Sequence, residues 1–304
     1  MDKLDTGLVK FSRLISKKKM GELSDNTVFL STVFMLCSLP VRALKGNPFM
    51  WEKETKHLIL TLYRDKNNKI PYGNYARLIQ IWIDTEVVKK NKDILDFGNS
   101  LNAFLKELGI KEGKANREVL KQLFNYLSCR IQIQIKDDVD KNHRQEVNAL
   151  ISVFNDLYFD PKQTDQLDLF KSKVQLSAEI VKFIRSHAAP LDMNIIRAFK
   201  NNALALDLIR LICYRNHGLI YKNQSVLNLP EAELYNQLGT TDTKTRQVRT
   251  QIIKLIQRIQ TYWPELKCDL VKNKLTGKWN MILQKSKPLI PRKQVKQLSS
   301  TIRG

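Results

Sequence analysis

Residues 230–283 read PEAELYNQLGTTDTKTRQVRTQIIKLIQRIQTYWPELKCDLVKNKLTGKWNMIL, and the order of signals within them decides the fold. Pro230–Leu238 has the pattern of a short helix with proline in its first turn and Gly239 as its stop. Lys244–Tyr262 predicts a long amphipathic helix whose buried stripe is Val248, Ile252, Leu255 and Ile259. Cys268–Lys272 and Trp279–Leu283 then predict two strands around the turn Asn273–Lys278. Short helix, glycine stop, polar turn, second helix and β-hairpin is the order of a winged helix. At about 100° per residue, the side of the long helix opposite its stripe carries Arg246, Gln247, Thr250 and Lys254, flanked by Lys244 and Arg249. These side chains suit guanine and adenine edges and phosphate oxygens. The bland alternative is an ordinary solvated helix face.

The same order occurs once earlier. Ser100–Leu108 predicts a short helix capped by Ser100 and stopped by Gly109, and Asn116–Ser128 predicts a second helix. Arg130–Lys136 (RIQIQIK) alternates strictly, as a half-buried strand does. Leu108-Gly109 stands five residues before Lys114, and Leu238-Gly239 stands five before Lys244. Two copies this far apart imply tandem domains, not a short-period solenoid. Their outward faces differ: the first carries Glu118 among Lys114, Arg117, Lys121 and Asn125. An acid in the middle of a groove-facing helix repels phosphate, so the first copy is expected to contact protein or the DNA backbone more than bases. The alternating strand would offer an edge for pairing with a second subunit.

Composition agrees with a folded, nucleic-acid-binding chain. The 304 residues hold 51 Lys+Arg against 30 Asp+Glu, a net charge of +21, which points to a polyanionic partner. Residues 244–304 hold fifteen Lys/Arg and two acids, so the surplus lies where the second motif lies. Cys37, Cys129, Cys213 and Cys268 are widely spaced, with no CxxC pair and no accompanying histidine cluster. They are expected to be reduced, mostly buried thiols and not zinc ligands. The apolar run Thr27–Val41 is shorter than the roughly 20 residues a spanning helix needs and ends beside Pro40.

The other segments fill out an α+β, mostly helical expectation: two tandem winged-helix domains with small β-hairpin wings. Asn74–Lys90, Ala178–His187, Asn194–Lys200 and the strongly apolar Ala203–Tyr214 have helical spacing; Asn148–Phe159 is extended, and Trp51–Asp65 fits a strand or a short helix. The polar stretch Asp160–Asp168 is the candidate boundary. The expected division is a basic tail at 1–26, an N-terminal unit at 27–160, a C-terminal unit at 161–288 and a second basic tail at 289–304.

The stretches Ile70–Glu86 (IPYGNYARLIQIWIDTE), Phe97–Gly109 (FGNSLNAFLKELG) and Pro190–Arg215 (PLDMNIIRAFKNNALALDLIRLICYR) resemble plasmid replication initiators of the RepA type. Ser177–Arg215 and the closing basic helix with its hairpin follow that pattern in order, and the resemblance spans about residues 28–290. It implies a bacterial, cytoplasmic initiator that binds direct repeats (iterons) in a plasmid origin and helps open the adjacent AT-rich DNA. It also implies self-association and recruitment of host replication proteins such as the replicative helicase and the chromosomal initiator. In such proteins the C-terminal unit dominates recognition of the repeats and the N-terminal unit serves dimerisation. Carried onto this sequence, the DNA-binding set is Lys244, Arg246, Gln247, Arg249, Thr250 and Lys254, with the wing residues Lys272, Lys274 and Lys278. Lys114, Arg117 and Lys121 of the first copy complete it.

Enzymatic readings find little footing. His57, His143, His187 and His217 are isolated, so no His-x-His metal pair exists for a relaxase, and no P-loop is present. Asp137, Asp138 and Asp140 read as a solvated loop sooner than a metal site. Tyr72, Tyr75 and Arg77 fit a structural role beside Gly73 better than DNA contact. No catalytic residue, metal, cofactor or membrane partner is expected. The rival function is a winged-helix transcriptional repressor with no part in replication.

Overall fold

The computed structural model describes residues 26–90, 93–96, 102–110, 114–136, 144–156, 173–240 and 245–290. β1 (Thr27–Ser31) runs directly into α1 (Thr32–Leu36), and all ten residues are buried. The apolar run that ends at Val41 is therefore mostly core, and among the described residues no helix is long and apolar enough to cross a membrane. β2 (Met50–Glu54) and β3 (Leu58–Tyr63) pair antiparallel, which resolves Trp51–Asp65 as a hairpin. Leu58, Leu60 and Leu62 face inward from β3, the period-two pattern of a sheet with one dry face.

α2 (Gly73–Lys90) buries residues from Ala76 to Thr85 on all sides, and is the central helix of the molecule. β4 (Ile94–Asp96), α3 (Asn102–Glu107) and α4 (Lys114–Leu127) follow. Gly109 has φ +66°, the left-handed conformation that ends α3 as the sequence leads one to expect. Ser100, the expected cap of that helix, lies outside the described residues, as do Asp137, Asp138, Asp140 and His143. β5 (Arg130–Lys136) and β6 (Arg144–Leu150) then form a hairpin, followed by β7 (Ser152–Asp156) and β8 (Lys173–Leu176).

One expectation is corrected here. β5 is not an edge: in the antiparallel sheet β2-β3-β5-β6 it is hydrogen-bonded on both sides, and β2 and β6 are the outer strands. The alternation of RIQIQIK reports one dry face (Ile131 and Ile133 are buried), and that pattern is the same for a central and an outer strand. An interface made by β5 pairing with its twin is thereby ruled out.

The second half begins with α5 (Ala178–His187), whose Ile180 amide donates to the Ser177 side chain. β9 (Ala188–Asp192) leads to α6 (Met193–Phe199), capped by Asp192, and α7 (Ala203–Tyr221) is capped by Asn202. β10 (Val226–Pro230), α8 (Glu231–Gln237), α9 (Thr245–Tyr262), β11 (Lys267–Lys272) and β12 (Trp279–Gln284) complete the chain. Sheet is more extensive than two small hairpins: the described strands make four sheets, in the orders β1-β9, β2-β3-β5-β6, β4-β8-β7 and β10-β12-β11. The fold is mixed α and β.

A single buried cluster runs through both halves. β1 pairs with β9 from Thr27↔Asp192 to Ser31↔Ala188, and α7 packs against α1 and α2. The candidate boundary Asp160–Asp168 lies outside the described residues. Where α2 meets α7, Arg77 donates from Nε and Nη2 to the Asp207 carboxylate, each at 2.6 Å. Arg210 donates to the same carboxylate, and all three side chains are fully buried. Burial alone would raise the Asp207 carboxyl, but the two guanidiniums and the Gly239 amide hold it below its ordinary value. The structural reading of Arg77 stands.

Candidate nucleic-acid interface

Each part of α9 has a reason for where it points. Val248, Ile252, Leu255, Ile256 and Ile259 are buried, and the stripe places Arg246, Gln247, Thr250, Gln251 and Lys254 in solvent. Thr250, exposed on this face, donates its hydroxyl to the Arg246 carbonyl at 3.0 Å. Gln257 and Arg258 extend the exposed face by a further turn, and the Arg258 guanidinium lies 5.0 Å from the Phe199 ring centre. The sequence-based set omits these two, although 250, 254 and 257–258 follow the same helical spacing.

Arg249, on the flank of this face, is fastened within the protein. Its Nε and Nη2 donate to the two Glu231 oxygens at 2.6 and 2.8 Å, and its guanidinium sits 4.7 Å from the centre of the Trp279 ring. Glu231 also accepts from the Tyr235 hydroxyl; burial would raise its carboxyl, but these hydrogen bonds and the Arg249 charge bring it below its ordinary value. One guanidinium thus ties α8, α9 and β12 together. Lys244 lies outside the described residues.

β11 packs against α9, burying Cys268 and Leu270 and exposing Lys267, Asp269 and Lys272. The hairpin tip is held by Asn273, whose amide donates to the Lys278 carbonyl at 2.8 Å and whose Oδ1 accepts the Leu275 and Thr276 amides. Gly277 at φ +67° makes the reversal, since a side chain in the left-handed region would be strained. Lys272, Lys274 and Lys278 are all exposed on this hairpin. The two groups of sequence-predicted residues, helix face and hairpin, are therefore carried by adjoining elements.

The first helix pair is less open. Arg117 and Lys121 are exposed on α4, with Lys121 3.8 Å from Glu118. The Lys114 side chain lies outside the described residues. Asn125, expected on the outer face, is buried: its Oδ1 accepts the Lys69 amide at 2.9 Å, and Gln122 likewise accepts the Tyr72 amide at 3.0 Å. Buried polar side chains of α4 fasten the loop at Lys69–Tyr72 there, which helical spacing alone does not distinguish from a wet face. Gln122 also donates to Glu118, so that acid is partly spent inside the protein.

The four cysteines are free thiols; three are buried, Cys213 is half-buried, and burial pushes each up to about 12. Among the described residues no three His, Cys, Asp or Glu side chains come together as a metal site would require.

The family model described as "Plasmid encoded RepA protein" matches residues 70–228. The crystal structure of SeMet derivatives of domain 2 and domain 3 of RctB is similar, with a TM-score of 0.51 and 8% identity, covering 84% of this chain and 98% of that one. A second crystal structure of RctB domains 2-3 has a TM-score of 0.41 and 9% identity, over 83% and 96% of the two chains. At 8% identity the first likeness is one of fold alone. No curated protein matches the chain.

Proposed function

Because the chain belongs to the family of plasmid encoded RepA proteins, we propose that it is a sequence-specific double-stranded DNA-binding protein that initiates plasmid replication. The observation that carries the DNA-binding reading is the exposed face Arg246–Gln247–Thr250–Lys254 of α9 beside a hairpin bearing Lys272, Lys274 and Lys278. The order β10, α8, α9, β11, β12, with β12 in the middle of its sheet, supports reading this unit as a winged helix. In that reading α9 enters the major groove and the hairpin lysines touch phosphates. The earlier helix pair, within 27–160, is the first winged-helix unit and serves self-association, with Arg117 and Lys121 touching backbone. The unit within 161–288 reads direct repeats in the origin. Opening of the adjacent AT-rich DNA and recruitment of the host helicase and chromosomal initiator complete the role, carried out in the bacterial cytoplasm without catalysis.

A repressor function has one observation in its favour. A cavity of about 180 Å³ lies among β9, the end of α7 and residues 288–290, lined by Leu191, Tyr214, Leu227, Trp263 and Leu289. Such a space could take a small effector.

Duplexes enriched from a random-sequence pool by the full chain test the proposal. Arg246→Ala is expected to lose about 1–3 kcal/mol and to blur preference at one base position. Lys274→Ala should weaken all sequences equally and flatten the salt slope by about one charge. Equal losses on enriched and scrambled DNA for Arg246→Ala rule out base reading there. Enriched sequences matching several direct repeats beside an AT-rich tract favour initiation; a single inverted repeat favours repression.

A further inference from the structure

The tip of the β11–β12 hairpin carries an apolar side chain that the protein leaves uncovered. Leu275 is 97% exposed. The next most exposed large apolar side chain among the described residues, Phe49, is 60% exposed and rests against Tyr63 and Arg64. Single exposed leucines are ordinary on a protein surface, but the backbone that carries this one is held in place. The Asn273 amide donates to the Lys278 carbonyl at 2.8 Å, and the Gly277 amide to the Asn273 carbonyl at 2.9 Å. Asn273 Oδ1 accepts the Leu275 and Thr276 amides at 2.8 and 3.1 Å. The main chain at Leu275 is thus fixed, its side chain stands in solvent, and Lys274 and Lys278 are exposed on either side of it in the turn.

The tip is also braced to the helix face. β11 packs against α9, and Arg249 of α9 lies over Trp279 at the start of β12. Major and minor grooves alternate along a duplex, so an element beside a helix seated in the major groove meets the phosphates at its edge and then the neighbouring minor groove. Lysines suit those phosphates. A leucine has no hydrogen bond to offer a phosphate or a base edge. What an apolar side chain can do in a minor groove is enter between two base pairs, exchanging water for base faces at the cost of unstacking them.

We propose that Leu275 is an apolar wedge that enters the minor groove beside the tract read by α9 and parts one base step there. The proposal rests on the DNA-binding reading and deepens it, adding a specificity-determining residue that makes no hydrogen bond to a base. Base steps differ in the cost of opening, and pyrimidine–purine steps unstack most easily. The hairpin therefore selects such a step by its deformability, at a position that α9 does not touch.

Duplexes enriched from a random-sequence pool by the full chain, as wild type and as Leu275→Ala, test the wedge. The wild-type pool should hold a pyrimidine–purine step at one position outside the α9 tract; the Leu275→Ala pool should keep the tract and lose the step. An adenine analogue that fluoresces on leaving the stack, placed in that step, should brighten with the wild type and stay dark with Leu275→Ala. On the wild-type consensus Leu275→Ala should bind about tenfold more weakly, and on a duplex with a stiffer step there the two proteins should agree within about threefold. Leu275→Met keeps an apolar side chain of similar size and should restore both the step and the brightening. The urea midpoint should not move in either variant, because Leu275 covers nothing in the fold. A wild-type pool without the step, or an analogue that brightens equally with wild type and Leu275→Ala, overturns the wedge and leaves DNA binding by α9 intact; a tip that docks a protein would give that result. A chain that enriches no duplex overturns both.

Discussion

At the scale of the residue, charge alone does not assign a role. Arg246 and Arg249 stand three apart on α9, yet Arg246 is exposed while Arg249 is fastened to Glu231 and stacked on Trp279. Arg249→Ala should therefore cost stability, roughly 1–2 kcal/mol from the paired hydrogen bonds and the ring contact. It should weaken binding to enriched and scrambled duplexes alike. Urea unfolding beside binding curves separates it from Arg246→Ala, and a base-specific loss for Arg249→Ala would contradict the clamp. Asp84 offers a second test. It is fully buried on α2, accepts the Ser31 amide at 2.6 Å, and burial raises its carboxyl from 3.8 to about 7. Between those values the native chain keeps a proton that the unfolded chain has released, so this group's contribution to stability falls as pH rises through that window. Asp84→Asn stays uncharged and can still accept the amide. It should match the wild type near pH 4 and exceed it at pH 8 by on the order of 2–4 kcal/mol, measured by urea unfolding. A variant less stable than wild type at pH 8 would refute the sign.

At the scale of the element, periodicity carried the long pieces. The stripe Val248, Ile252, Leu255 and Ile259 is buried as its spacing requires, and the strands around Asn273–Lys278 lie where alternation puts them. The outward face of α9 was legible for the same reason, because a buried stripe fixes its opposite. The short strands β1, β4, β8, β9 and β10 were not legible. Their partners lie far away in sequence, as in Thr27↔Asp192 and Leu95↔Val174, and each run is too short to show a period. Nor was the hub at Asp207: an aspartate and an arginine three apart inside ALALDLIRLICY were a visible oddity, but nothing local names Arg77 as their partner. Gly239 marks the same limit. Its φ is not in the left-handed region, so it is there for space and not for conformation. Gly239→Ala must push a backbone carbonyl aside and should destabilise by about 3 kcal/mol or more. Gly277→Ala meets nothing within 4 Å and strains only an exposed turn, so a milder loss of about 1 kcal/mol is expected. Thermal melts of the two variants compare crowding with strain directly.

At the scale of the whole molecule, the two halves share what ordinarily makes a domain independent. Their apolar residues form one cluster, β1 completes a sheet with β9, and the ion hub has one arginine from α2 against an aspartate and an arginine from α7. Buried ion pairs are weak sources of net stability, but removing one partner leaves a charge stranded away from water, at a cost of about 3–5 kcal/mol. Asp207 is the only acid touching both guanidiniums among the described hydrogen bonds, and its loss strands two. Because the contacts cross the molecule, the cost should be felt by both halves together. Asp207→Asn is expected to lower the melting temperature of a single calorimetric transition, with tryptophan fluorescence from Trp82 on α2 and from Trp263 after α9 lost in step. Both indoles are buried, and in variants that keep only one of the chain's four tryptophans each reports its own half. The Asp207 carboxyl is held below its ordinary value, so its stabilisation is present at neutral pH and lost on acidification toward its folded pKa. The variant's deficit should accordingly shrink as pH falls. Two resolved transitions of which only one moves with Asp207→Asn would mean that the halves fold independently, and that the hub merely rests between them.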